Sequence, residues 1–451
     1  MLKRLTTLMT TRLLFAALLL APIAAWPQAD DLPRHAAIGL AVGPVDLAKP
    51  EDPEHNPPTV QTVVPGGAGE AAGFQPGDIL RRLDGAPVAS STGFARAIGR
   101  HLAGDRVSIQ LVRNGQEITK TVALKPRPYE TSPDADVLYR SVVVDSARRR
   151  VIVTRPKAAG RYPAVLIMGG LGCYSLDGEI ARPAGYGPIL AALAKRNFVT
   201  MRLEKTGEGD SQGPPCTDPK ATAQLEARGY VAGLRALKAY DFVDSAKVFV
   251  FAHSLGPLIG SLVVPQEPVR GFIAAETVGR SWFEYILDNA RRQRPLMGVP
   301  LDVVDAQVRA EEKCAHRFFV EHQPAEEIVK LGPECEAMIR SYAGVPGAYM
   351  QQIGDLSLAK QWKQADIPVL VIYGTSDPAT SAAEGRYLTE IINSFHPGRA
   401  TYAEIREMGH DFTHFASQRD YLNRRNDPSP HPFETALLEV LFNWLERQLA
   451  G

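Results

Sequence analysis

The amino-acid sequence predicts an α/β protein: a mostly parallel sheet interrupted by a helical insertion and preceded by a small β/α domain. Three observations carry that expectation. From about residue 136 to 279, and again from about 350 to the C-terminus, strand-like runs alternate with helix-like ones, the order that builds a parallel sheet covered by helices. Ala164-Val165-Leu166-Ile167-Met168 is apolar without interruption, as a strand buried on both faces of such a sheet must be. Residues 36 to 124 are instead rich in Gly, Val and turn signals. The 451 residues allow about two to four domains. Lys+Arg and Asp+Glu each number 50, so the basic excess of a dedicated nucleic-acid binder is missing.

The chain opens with Lys3, Arg4 and Arg12, then an apolar run from Leu13 to Ala21, then Ile23-Ala24-Ala25. A positive segment, a short apolar segment and small residues at a cleavage point describe a secretory signal peptide. The run falls short of the ~20 residues a membrane-spanning helix needs. Residues 1–25 are therefore expected to be cleaved, leaving no stable membrane span and a chain in an oxidising compartment. The four cysteines, Cys173, Cys216, Cys314 and Cys335, then favour disulfides over free thiols. No Cys-x-x-Cys or clustered His accompanies them, so no metal site is expected.

The first domain, residues 36–125, reads as short strands around a helix. Ala37–Val42, Thr59–Val64 and Asp78–Leu83 are strands, the last closed by Asp84-Gly85. Arg106–Arg113 is a fourth, and Asn114-Gly115 is a hairpin turn into Glu117–Val122. The stretch from Pro65 to Leu80 joins a small-residue helix to the turn Ala72-Gly73-Phe74-Gln75-Pro76-Gly77-Asp78. It resembles the PDZ domains of bacterial envelope proteases, over about ninety residues. That resemblance implies a bacterial periplasmic setting and a peptide partner added to a sheet edge. Ala37, Ile38, Gly39 and Leu40 would then offer backbone N–H groups to a peptide C-terminus. The alternative is a domain that only docks on, or gates, its neighbour. Lys125-Pro126-Arg127-Pro128 and Thr131-Ser132-Pro133-Asp134 mark a linker over residues 126–136.

The second domain, residues 137–451, carries the chemistry. Lys247–Gly256 is a strand entering a turn with Ser254 at its centre, followed by a helix. Such a turn is sharp, so the residues two before and two after the serine must be small; Ala252 and Gly256 are. A serine hydroxyl needs a base within hydrogen-bond reach, and the base needs a carboxylate to fix its tautomer. Pro368–Tyr373 is a buried strand whose end carries Asp377, and Thr401–Ile405 leads to His410. The order Ser, acid, His is that of the nucleophile-elbow hydrolases. His414 is a rival base and Asp355, Asp366 and Asp411 are rival acids by proximity; His253, inside the elbow, reads as a packing residue.

From about Tyr162 to the C-terminus the chain resembles the α/β-hydrolase superfamily, closest to its serine-aminopeptidase and dienelactone-hydrolase-like branch. Arg202-Leu203-Glu204-Lys205-Thr206-Gly207-Glu208-Gly209-Asp210-Ser211 matches that branch's Arg-rich Gly loop, with Thr206 departing from its usual Arg; the loop is read as structural. The resemblance implies Ser254 as nucleophile, Asp377 as acid and His410 as base, with no cofactor. It also implies two backbone donors for the oxyanion: Leu255 N–H, and one from the Gly169-Gly170-Leu171 turn, Gly170 or Leu171. Residues 280–355, with Trp282, Tyr285, Phe318, Met338 and Tyr342 at near-helical spacing, are expected as a helical cap over the site. Arg291-Arg292-Gln293-Arg294 reads as a solvated face. On this fold Cys173 and Cys216 leave neighbouring strand ends and Cys314 and Cys335 share the cap, so those two pairs are expected. The function expected is an exported serine esterase with a peptide-binding or regulatory PDZ domain. A serine peptidase and a catalytically inert PDZ scaffold are the alternatives.

Overall fold

The computed structural model describes residues 32–45, 51–427 and 431–450; the expected signal peptide lies outside them. No helix among the described residues is long and apolar enough to cross a membrane.

The N-terminal domain is built on β1 (Ala36–Ala37), β2 (Leu40–Pro44), β3 (Pro58–Val63), β4 (Ile79–Leu83), β5 (Ala86–Pro87), β6 (Arg106–Arg113) and β7 (Gln116–Ala123), with helices α1 (Ala68–Ala71) and α2 (Ser91–Ile98). The main sheet runs β2-β3-β4-β6-β7, with β5 paired to β4. β6 shows the expected alternation: Val107, Ile109 and Leu111 are buried against Val60, Leu80 and Phe94. Asp84 and Asn114 both take positive φ ahead of a glycine, the backbone a two-residue hairpin turn requires. The single strand expected over Ala37–Val42 is broken. Gly39 sits at φ +72, where a Cβ would lie 3.0 Å from Gly67 Cα, and the chain changes sheets there.

β1 pairs instead with β8 (Lys125–Pro126), Ala36 opposite Pro126 and Ala37 opposite Lys125. The residues before β1 reach the C-terminal domain. Arg34 is almost fully buried, ion-paired to Asp177 at 2.8 Å and Asp210 at 2.5 Å, and stacked on the rings of Tyr129 and Tyr139. Arg150 donates to Asp210 and to Leu32 O. The segment joining the domains is bound along its length: Arg127 N donates to His35 O, and Glu130 pairs with the buried Arg202.

The C-terminal sheet contains β9 (Ala135–Val144), β10 (Ala147–Pro156), β11 (Tyr162–Met168), β12 (Val199–Leu203), β13 (Val243–His253), β14 (Gly271–Ala275), β15 (Val369–Gly374) and β16 (Ala400–Ile405). Their order is β16-β15-β14-β13-β11-β12-β10-β9. β10 is antiparallel to both neighbours, and the other pairings are parallel. The unbroken apolar run in β11 has a simple cause. Ala164, Leu166 and Met168 face one core, shared with α4 (Ala223–Ala239) and α5 (Gly256–Val263), while Val165 and Ile167 face a second, shared with α3 (Tyr186–Lys195) and the C-terminal helix Ala436–Ala450. Each of the larger side chains, Val165, Leu166, Ile167 and Met168, contributes roughly 1.5–3 kcal/mol on leaving water.

Between β14 and β15 the chain forms the expected helical insertion, led by α6 (Trp282–Leu296) and α7 (Leu301–Ala315). A capping box, Ser281 with Glu284, starts α6, satisfying donors that a helix N-terminus leaves free. The cysteines pair as Cys173–Cys216 and Cys314–Cys335, with Cα–Cα distances of 5.5 and 5.3 Å. The first ties the loop after β11 to the one after β12; the second clips the cap.

Candidate active site

β13 ends at His253, and Ser254 takes φ +60, a left-handed backbone that costs a non-glycine residue roughly 1–3 kcal/mol. The turn is held from both sides: Ser254 N donates to Ala275 O at 2.9 Å, and Thr277 Oγ1 donates to Ser254 O at 2.7 Å. The demand for small neighbours is visible. A Cβ on Gly256 would stand 2.9 Å from the carbonyl oxygens of Met168 and Gly169, and one on Gly170 would stand 2.9 Å from Ser254 Cβ.

Asp377 follows β15 and His410 follows β16, so the parallel register of those strands brings their ends beside the elbow. His410 Nε2 lies 3.0 Å from Ser254 Oγ, and His410 Nδ1 lies 2.9 Å from Asp377 Oδ2. The carboxylate only accepts, so it holds the proton on Nδ1 and leaves Nε2 free to accept from Ser254. Asp377 is wholly buried and also accepts from Ala379 N and Thr380 Oγ1. Burial opposes its charge, but His410 and these donors outweigh it and hold its pKa well below the usual range. Burial likewise opposes the imidazolium of His410, yet the charge and hydrogen bond of Asp377 prevail and raise its pKa above 6.5.

The rivals are engaged elsewhere. His414 pairs with Glu434, Asp355 with His322 on the cap and Asp366 with Arg399; Asp411 accepts from Thr413 Oγ1. His253 is buried between Tyr186 OH and His410 O, each at 2.8 Å, and burial pushes its pKa down to about 3. It is a neutral brace, as the packing reading expected.

The Gly169-Gly170-Leu171 turn is held by a residue the sequence reading passed over. Lys205, buried in the Gly loop, donates to Gly170 O at 2.7 Å and is neutralised by Glu226 at 3.4 Å. Tyr174 OH approaches the same carbonyl at 3.4 Å. In a trans peptide the C=O and N–H point opposite ways. Drawing Gly170 O toward Lys205 therefore turns Leu171 N–H away from it. Leu255 stands at the cap position of α5, where backbone N–H groups lack helical partners. The rest of the loop is structural, as read: Glu204, its pKa pushed up to about 8 mainly by burial, accepts from Ser175 Oγ and Leu176 N, and Thr206 donates to Pro214 O.

Two cavities meet at Ser254. One of about 540 Å³ is lined by Tyr174, Arg182 and Tyr186. The other, of about 710 Å³, lies under the cap and is lined by Trp282, Tyr285, Arg294, Met338 and Tyr342. The cap therefore covers the site. Its Arg run is only partly solvated: Arg291 pairs with Asp305 and Arg292 with Asp288, whereas Arg294, paired with Glu311, faces the cavity. Among the described residues, two clusters bring three metal-ligand-type atoms within 4.8 Å of one another. In one, Cys173 and Cys216 are bonded to each other beside Glu208; the other is Glu276, Asp377 and His410. In the N-terminal domain Ala37 lies in β1, Ile38 is buried with its carbonyl accepting from Gly69 N, and Gly39 and Leu40 lead into β2, the strand at the sheet's edge.

The sequence matches the PDZ domain family over residues 37–124 and the alpha/beta hydrolase family over residues 165–425. Esterase EstD of Thermotoga maritima is 22% identical over 226 residues, 50% of this chain and 49% of that protein, so the chain spans about half the length of this curated relative. Similar solved structures include an esterase from Pyrococcus furiosus (12% identity, 71% of this chain, 96% of that one, TM-score 0.43) and a proline iminopeptidase from Mycobacterium smegmatis (18% identity, 69% and 98%, TM-score 0.43).

Proposed function

Because this chain belongs to the alpha/beta hydrolase family and carries a PDZ domain ahead of its hydrolase sheet, we propose that it is an exported serine hydrolase acting on carboxylic esters. One observation carries the reading: His410 bridges Ser254 and Asp377 at 3.0 and 2.9 Å. Ser254 Oγ attacks the acyl carbon while His410 Nε2 takes its proton. Asp377 stabilises the imidazolium. The oxyanion is held by Leu255 N–H and, from the orientation Lys205 imposes, by Leu171 N–H rather than Gly170 N–H. His410 then gives its proton to the leaving alcohol, and water, deprotonated by the same imidazole, releases the acyl group. The two cavities flanking Ser254 give the acyl and leaving groups separate seats.

Export is supported by the cysteines, since both pairs among the described residues are disulfides and such bonds persist in oxidising compartments. The position of β2 at the edge of the sheet among the described residues suits an extended peptide partner. A fluorophosphonate probe with a panel of p-nitrophenyl esters and peptides tests the activity. Labelling with ester turnover is expected. Peptide cleavage with negligible ester turnover would mean a peptidase, and an unlabelled protein would mean an inert scaffold.

Two further outcomes follow from the geometry. The base works only when neutral, and its pKa is raised. Ester kcat/KM should therefore fall as pH drops, with a midpoint above 6.5, the ordinary histidine value. Midpoints at or below that value in stopped assays would contradict the Asp377 pairing. Lys205→Met should lower kcat about 10- to 100-fold with little change in KM, somewhat less than deleting an oxyanion donor outright. The double variant Lys205→Met/Glu226→Gln removes the buried charge left behind and should show the same kcat loss with better thermal stability.

A further inference from the structure

The strand next to the elbow also ends in a carboxyl group. Glu276 follows β14 directly, is wholly buried and sits at φ +49. Its N–H donates to Ile372 O at 2.9 Å, and the register of β14 on β15 brings its side chain beside the Asp377 turn. Space is reserved for it: a Cβ on Gly374 would lie 2.8 Å from Glu276 Oε1. The ligand-type oxygens of Glu276 and Asp377 and a ring nitrogen of His410 all lie within 4.8 Å of one another.

Two buried carboxyl groups in contact cannot both be ionised cheaply. The surroundings say which one keeps the proton. Asp377 accepts from His410 Nδ1, Ala379 N and Thr380 Oγ1, three donors that favour a carboxylate. Glu276 has only a long 3.5 Å contact from Thr380 Oγ1 on Oε2, and its buried Oε1 makes no hydrogen bond of normal geometry. An ionised Glu276 would be poorly supplied with donors; a protonated one becomes a donor itself, with an Asp377 oxygen within 4.8 Å.

We infer that Glu276 is a neutral carboxylic acid that donates a hydrogen bond to Asp377 and positions it toward His410, extending the triad to a fourth member. This rests on the serine-hydrolase reading above. The electrostatics agree: burial, then the charge and hydrogen bond of Asp377, raise Glu276 well above the usual carboxyl range, against the opposing pull of Gly374's backbone and Thr380. Glu276 does not touch substrate. It acts by fixing the carboxylate whose orientation sets that of the imidazole.

The role separates from two others by substitution. Glu276→Met keeps the length but removes the donor, and kcat for a p-nitrophenyl ester should fall about 10- to 100-fold with KM unchanged. Glu276→Gln supplies an amide N–H in the same place and should recover most of that loss. If Glu276→Gln is instead as inactive as Asp377→Asn, Glu276 is the ionised acid of the triad and the inference is overturned. If Glu276→Met turns over like the wild type, the group only fills space, and the inference again fails. Glu276→Gln is nearly isosteric, so its comparison with Asp377→Asn decides the matter even if the Met variant does not fold. A wild-type enzyme that neither labels with fluorophosphonate nor hydrolyses esters would overturn the underlying hydrolase reading instead, a different and recognisable result.

Discussion

Ser254→Ala is expected to reduce ester kcat by about 10⁶, to a residue of activity set by the oxyanion donors and binding alone. The size follows from what the hydroxyl does. Its Oγ lies where both cavities meet and is hydrogen-bonded to His410, and without it the proposed acyl-enzyme cannot form. Fluorophosphonate labelling should vanish with turnover. The fold should survive, because the elbow is held by Ser254 N donating to Ala275 O and Ser254 O accepting from Thr277 Oγ1, both of which alanine keeps. Its melting temperature should stay close to that of the wild type. An alanine variant that still labelled stoichiometrically would place the nucleophile elsewhere.

Asp377→Asn should cost about 10⁴ in kcat with the geometry intact. The amide offers a donor where the carboxylate only accepts, so the imidazole is driven to the tautomer with its proton on Nε2. That proton faces Ser254 and blocks deprotonation. Here the penalty has a second part: Thr380 Oγ1 donates to the same carboxylate oxygen as His410 and would face the amide NH2, while Ala379 N keeps an oxygen to donate to. Affinity for a substrate analogue should barely change, since Asp377 is fully buried beneath the histidine. Loss of binding rather than of kcat would argue that the residue shapes a pocket instead of tuning the base.

The three residues of the proposed triad could be picked out of the sequence because each obeys a local rule. Ser254 needed Ala252 and Gly256, and the contacts of Gly256 with Met168 and Gly169 show why. Asp377 and His410 each follow a late strand. The cysteine pairing was legible once those strand ends were placed. Three things were not. Gly39 breaks the strand read over Ala37–Val42, because its positive φ answers to the approach of Gly67 from α1's cap. Lys205 gains its role only from Gly170, 35 residues earlier, and nothing near it in sequence signals that partner. Glu276 did carry a signal, a carboxyl group ending a buried strand, the same feature that picked out Asp377; its meaning came from cross-strand register, which no local pattern encodes.

The two-stranded ribbon of Ala36–Ala37 against Lys125–Pro126 makes the PDZ domain an inserted cassette rather than a bead at the end of a string. Its entry and exit residues are adjacent, so excising 38–124 and closing the gap with a two-residue turn removes none of the side chains that hold the Arg34 guanidinium, Asp177 and Asp210. Trimming the chain from its N-terminal end would instead remove that arginine and leave Asp210 to Arg150 and Asp177 to Tyr139 OH. The residues ahead of the PDZ domain thus pack as part of the hydrolase domain, through Arg34 on Asp177 and Asp210 and Leu32 O on Arg150.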